Sequence, residues 1–509
     1  MRKWLPLVAI SLSTFMLLVD LTIVTVAMPA LASGLHSSFA ALQWTIDIYV
    51  LVLAALLLAA GSVSDLLGRR RVFLAGLVLF AIASLGCGLA TDPGVLIAAR
   101  GVQGVGAAAM YATNAALLGI TYTGRDRALA FGVWGAVNGA AAAAGPILGG
   151  VLTEHVGWRA IFLVNIPFAV LAVLIAVRSI VESRNPGGGR VDLPGAGLFT
   201  LAVSLLVYGL IRTGEHGWTD RGTVAAFVVS AVALAFFLLV ESRRVDPMID
   251  LRLFRRPSFT ALMVGGAVLT ASAFANLMFV SLWAQSVLGL EPVAAGLVLT
   301  PLAAVSFVVA GVGGRLLHRV APQYSIGVGL LLVGVGTLLC MLVGPGSTWT
   351  ALIPGLSVTG IGVGLASPVL ASAALTAAPA ERAGMANGAM NTFRQLGFAV
   401  AVPVFASVAA GRARSVLADS GLFDDPGRAA IGLTGGSAQG LLAQAPEPVR
   451  AAVQHALRAA YASGLDRIFL FSGIVALAAG AAVLLLVRAP ARPEPERSGR
   501  PVAVSAPGA

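Results

Sequence analysis

Asp20 stands 13 residues into an apolar run that starts at Leu7, about 20 Å along a helix at roughly 1.5 Å per residue. A charge at the centre of a membrane helix costs about 2.5–3.5 kcal/mol on insertion scales, so it persists only against a partner or a cavity. The chemistry open to such a carboxyl is uptake and release of a proton; a structural hydrogen bond to a neighbouring helix is the alternative. Arg100, inside a second apolar run, cannot cycle protons because a guanidinium is effectively always charged. Beside Asp20 it would promote proton release, and snorkelling to the interface is its alternative. Gln103, Tyr111 and Asn114 follow Arg100 at offsets of 3, 11 and 14, which at about 100° per residue returns them to within roughly 60° of it. Asn387, Asn391, Arg394 and Gln395 form a second polar stripe within about 100°. Both stripes are expected to line a central cavity, with hydrogen bonding between helices as the alternative. Asp47 sits only a few residues into its own run, where a carboxylate can also reach water.

The elements that hold these groups are set by composition. The 509 residues are 58% hydrophobic and 11% charged, with a mean hydropathy of +0.92. Soluble domains carry about a quarter charged residues, so the solvent of this chain is largely lipid. Apolar stretches of about 18 to 25 residues recur along it, each long enough to cross a hydrocarbon core as a helix. Fourteen are read, grouped as six, two and six: a bundle at 7–180, an inserted pair at 194–240, and a second bundle at 258–487 with a long external loop at 411–464. Residues 488–509 read as a disordered tail, being rich in Pro, Arg and Ser. GSVSDLLGRRR after the second stretch has a degenerate echo, GGRLLHR, after the tenth, which marks an internal repeat.

Basic residues favour the cytoplasmic side of short loops. The short loops on one side hold only Arg159, Arg212 and Arg221, so both termini are placed in the cytoplasm. The net charge of +11 is then topology and contact with anionic lipid, and no soluble basic face points to nucleic acid. Lys3 is the only lysine, which removes a phosphate-binding Walker loop and with it ATP as the energy source. The five histidines fall in loops without ligand spacing, so no metal or other cofactor is expected. Cys87 and Cys340 lie inside spans, against a structural disulfide. A polytopic membrane enzyme would need a catalytic constellation clustered at one interface, and the sequence offers none.

GSVSDLLGRRRVF, from Gly61 to Phe73, resembles motif A of the major facilitator superfamily, although Leu66 stands where the family has a basic residue. Gly61 and Gly68 are read as allowing close helix contact and a tight turn, Asp65 as capping or pairing, and Arg69 and Arg70 as holding the turn. LVDLTIVTVAMP at Leu18, LIAARGVQGVG at Leu96 and AAGPILGG at Ala143 resemble the first-helix motif, motif B and motif C of the fourteen-helix drug:proton antiporters. Thr25 and Ala141 depart from the family residues. The resemblance implies a major facilitator fold and proton-coupled export of a hydrophobic drug or antibiotic, with Gly145, Pro146 and Gly149 as packing or hinge elements. WTIDIYVL at Trp44 resembles the quaternary-ammonium branch, which implies that Asp47 favours cationic substrates. WRAIFLVNIP and RAGMANGAMNTFRQLG extend the resemblance over nearly the whole chain. A dedicated exporter of one endogenous metabolite is the alternative function. The excess of arginine over lysine suggests a GC-rich bacterial genome, hence a bacterial cytoplasmic membrane, and the chain is read as a monomer.

Overall fold

The computed structural model describes residues 2–184, 192–244, 247–316, 320–377 and 383–487. It is all helical. The first bundle comprises α1 (Leu5–Leu35), α2 (Phe39–Leu67), α3 (Arg69–Gly88), α4 (Pro93–Thr121), α5 (Gly124–His155), α6 (Ala160–Leu163) and α7 (Asn165–Ser179). The pair α8 (Leu193–His216) and α9 (Arg221–Arg243) follows. Then come α10 (Pro257–Thr270), α11 (Asn276–Leu282), α12 (Pro292–Leu316), α13 (Pro322–Leu339), α14 (Ile353–Ala377), α15 (Ala383–Ser420), the short α16 (Pro426–Thr434) and α17 (Ala438–Ala443), and α18 (Arg450–Leu486).

Local chemistry starts these helices where the sequence breaks its apolar runs. Asp92 accepts from the amides of Gly94 and Val95 ahead of Pro93, and Asp220 accepts from Thr223, each satisfying orphan donors of a first turn. Among the described residues twelve helices or joined helices are long and apolar enough to span a membrane, and α2, bent by 52°, makes a thirteenth. The remaining predicted stretch, 128 to 152, falls inside the 32-residue α5.

Packing repeats between the bundles. α4 lies against α2 and α3, and α14 lies in the same way against α12 and α13. Across the seam α5 packs on α12 and α2 on α15, while α8 touches both α2 and α15 and so bridges the two bundles. α10 and α11 are joined by a π-helical segment, Ala271–Ala275, and a second, Trp283–Val287, follows α11.

One sequence expectation changes here. Segment 411–464 is largely helical: α15 continues ten residues past 410, α16 and α17 lie within the segment, and α18 begins at Arg450. Charged residues such as Arg412, Arg414 and Arg458 ended the apolar pattern without ending the helix. The expected tail at 488–509 falls outside the described residues.

Candidate functional site

Asp20 of α1 is fully buried, and it has a charged partner. Arg100 of α4, also fully buried, forms an ion pair with its Oδ2. The Nε2 of Gln103 donates to Oδ1 at 3.0 Å and the Nδ2 of Asn165 donates to the same oxygen at 2.9 Å. Arg100 in turn donates from Nη1 to Gln103 Oε1 at 2.7 Å and from Nε to the Thr45 carbonyl of α2 at 3.0 Å. Its guanidinium lies 4.1 Å from the centroid of the Tyr49 ring, in cation–π range. Ser84 of α3 receives the second Gln103 proton at 2.8 Å. One carboxylate and one guanidinium are thus sealed together, net neutral, by side chains from α1, α2, α3, α4 and α7.

This geometry answers one alternative left open by the sequence. Arg100 does not snorkel, since its side chain is 1% exposed. Asn165 was not singled out, and its signal was available: it opens α7 at a break after α6, a polar side chain in an apolar stretch. Ser84 and Tyr49 were also missed, because neither residue type is unusual in a membrane helix.

The polar stripe of α4 divides along its length. Asn114 is fully buried and does not face a cavity: it accepts from Ser13 Oγ at 3.0 Å and donates to Thr14 Oγ1 at 2.9 Å, tying α4 to α1. Gln103 is likewise committed to the Asp20 cluster. Tyr111 is the member that reaches the other bundle, its hydroxyl donating to Asn391 Oδ1 of α15 at 3.4 Å. Arg394 is half-buried with its stem beside Gly266 of α10, and Gln395 is buried with Oε1 unpaired among the described residues.

Asp47 does not reach water. It is fully buried, with neither carboxylate oxygen partnered among the described residues. Gln43, one turn earlier on the same face, is also buried and has an unpartnered Nε2. Ala54, seven residues on from Asp47 and so on nearly the same face, receives the Thr392 hydroxyl of α15 at 3.4 Å. The Asp47 face of α2 therefore turns toward the seam.

The glycines of α5 act at a second seam. A Cβ at Gly145 would collide with Thr22 of α1, and one at Gly149 would lie 2.8 Å from the Ile23 carbonyl oxygen. On the opposite side Gly150 abuts Pro292 and Val293, and the Pro146 carbonyl abuts Gly296. At this distal end, where α1 and α5 finish and α12 begins, Gln285 Nε2 donates to the Val26 carbonyl at 2.9 Å and Glu154 accepts from the Val293 amide at 3.2 Å. The bundles are closed there. At the other end, Asp65 and Arg69 pair with each other at 2.8 Å across the turn, and Gly68 adopts φ +109°. Arg70 Nη2 donates to the Val177 carbonyl at 2.6 Å. Gly61 makes no close helix contact, since a Cβ placed there would have no neighbour within 4 Å.

Residues 10–402 match the family model described as Major Facilitator Superfamily. The chain is similar to multidrug resistance protein Stp of Mycobacterium tuberculosis, with 36% identity over 80% of this chain and 76% of the relative. It is also similar to the tetracenomycin C resistance and export protein of Streptomyces glaucescens, with 32% identity over 96% and 92% of the two chains. Among solved structures, a bacterial homologue of the human lysosomal transporter Spinster has the same fold, with a TM-score of 0.64 over 96% of this chain and 97% of that one at 19% identity. An all-helical bundle, a buried charged pair inside it and a sequence match over most of its length together place this chain in the Major Facilitator Superfamily.

Proposed function

We propose that this chain exports hydrophobic, cationic drugs or antibiotics across the bacterial cytoplasmic membrane in exchange for protons. The observation that carries the reading is the sealed Asp20–Arg100 pair, a titratable group held inside the bundle by four neighbouring helices. The multidrug and antibiotic functions named for the relatives supply the substrate class. Asp20 takes the proton. Arg100 is its counter-charge, released when Asp20 is neutral and re-engaged when the proton leaves. Tyr111, Asn391, Arg394 and Gln395 offer polar contacts for substrate at the seam, and Asp47 supplies the attraction for a positive charge. Gly145, Pro146 and Gly149 let α5 pack closely between α1 and α12, while Asp65, Gly68, Arg69 and Arg70 shape the turn at the opposite end.

The architecture belonging to this reading has fourteen spans arranged six, two and six, with bundles at 7–180 and 258–487, the inserted pair at 194–240 and both termini in the cytoplasm. The monomer suffices, with the bundles rocking about the seam. Export of one endogenous antibiotic is the second reading, favoured by the near full-length similarity to an antibiotic resistance and export protein.

The test is transport of a panel of cationic, neutral and anionic compounds into everted vesicles, with and without an imposed pH gradient. Gradient-dependent uptake is expected for the wild type. Asp20→Asn keeps the shape and loses the titration, and is expected to abolish that dependence at unchanged membrane abundance. Full gradient-driven transport by Asp20→Asn would remove Asp20 from the proton step.

A further inference from the structure

The turn between α2 and α3 is held from outside by a residue in the segment after α7. α3 starts at Arg69 with no side-chain cap of its own, which leaves its first amides in need of acceptors. Glu182 supplies them from 112 residues away: Oε1 accepts from the Arg70 amide at 3.1 Å and Oε2 from the Arg71 amide at 3.3 Å. Oε1 also accepts from Ser183 N at 3.0 Å, and the Ser183 carbonyl receives the Arg69 amide at 3.0 Å. The exchange is reciprocal, because Arg70 reaches back to the Val177 carbonyl in the last turn of α7. A carboxylate at a helix amino terminus and a guanidinium at a helix carboxy terminus both suit the helix dipoles. Gly68 completes the clamp: a Cβ there would stand 2.6 Å from the Glu182 carboxylate, and its φ of +109° favours glycine in any case.

We propose that Glu182 is a positioning residue of the transport cycle, whose carboxylate locks the 65–71 turn to the end of α7 so that Asp65 and Arg69 move with the first bundle as one rigid body. The turn ends α2, the helix that packs on α15 of the other bundle. A loose turn would let the bundles shift without fixing Asp65 and Arg69 at their shared edge. Substrate and proton contacts lie elsewhere, so the clamp governs the rate of the conformational step and leaves affinity alone. This inference rests on the export reading above.

The experiment uses the full-length protein in proteoliposomes with an imposed pH gradient and ethidium as the probe. Glu182→Ala is expected to lower the maximal rate about tenfold with KM within about twofold of wild type, the signature of a lost conformational step. Glu182→Gln keeps one carbonyl acceptor and should fall between the two. Both native cysteines are buried, so Leu67→Cys on the exposed end of α2 gives an independent readout with an impermeant maleimide. Its labelling rate should respond to the gradient with Glu182 in place and lose that response in Glu182→Ala. An unchanged maximal rate in Glu182→Ala overturns the clamp, as does a loss seen as raised KM or as reduced membrane abundance in both variants. A wild type that shows no gradient-driven transport of ethidium or of any other compound in the panel above overturns the export reading instead, and the clamp with it.

Discussion

The buried pair should behave as a unit, and a thermodynamic cycle on Asp20 and Arg100 tests this directly. Arg100→Met removes the guanidinium while keeping much of its stem, and leaves Asp20 with only Gln103 and Asn165 as donors. Removing one partner of a buried pair costs about 3–5 kcal/mol, because the surviving charge stays in a medium that cannot solvate it. Asp20→Asn is milder in this respect. Arg100 then retains Gln103 Oε1, the Thr45 carbonyl and the Tyr49 ring, and a desolvated cation–π contact contributes about 2 kcal/mol. Replacing both members by neutral groups can be close to neutral for stability, so the double variant should recover at least about half of the loss caused by Arg100→Met. Denaturation of purified protein in detergent, by tryptophan fluorescence, measures all three. A double variant no more stable than Arg100→Met would refute the pairing. Export should stay absent in Asp20→Asn and in the double variant, since stability returns there without a titratable group.

Arg100→Lys should keep only part of the export rate in vesicles, because an ammonium cannot reach Asp20, Gln103 Oε1 and the Thr45 carbonyl from one planar fork. Gly149→Val should abolish export at normal abundance or lower abundance outright, as its Cβ would press on the Ile23 carbonyl; normal transport would show that α1 and α5 need no close approach. Asp47→Asn should weaken export of cations about tenfold relative to neutral compounds, the scale of one lost charge contact, and an equal effect on both classes would remove Asp47 from charge selection.

Much of the fold was legible because lipid imposes a rule that residue type alone reveals: a long apolar run is a helix, and a charge within it needs a reason. Asp20 and Arg100 stood out on that ground, and helical spacing placed Gln103 with Arg100. What spacing cannot supply is rotation between helices. The α4 stripe read as one surface, yet Gln103 turns to Asp20, Asn114 turns to Ser13 and Thr14, and Tyr111 reaches α15. Asn165 and Glu182 were missed for a related reason. Each acts on a helix more than a hundred residues away, and neither spacing nor composition predicts such a partner. Segment 411–464 misled in the other direction, since arginines among alanines read as loop although both are good helix formers.

On the export reading proposed above, coupling between proton and gate is compact, because a single stretch of α1 carries both. Asp20 meets Arg100, Gly145 and Gly149 of α5 press on Thr22 and Ile23, and Gln285 of the other bundle binds the Val26 carbonyl. Six residues separate the carboxyl from that last contact, about 9 Å along the helix. Neutralising Asp20 removes the attraction that fixes this stretch against α4, while Gln103 and Asn165 can still donate to its carbonyl oxygen. A small rotation or slide of α1 would then strain the glycine contacts and the Gln285 latch together, since close-packed helices do not deform one contact at a time. On that reading protonation loosens the distal contacts without any relay through the second bundle. The reciprocal statement must also hold, because linkage is symmetric: a change that weakens the distal latch alters proton affinity at Asp20. Gln285→Ala tests that step. It should shift the pH dependence of export although it touches no titratable group, and an unmoved pH profile would separate the latch from the proton site.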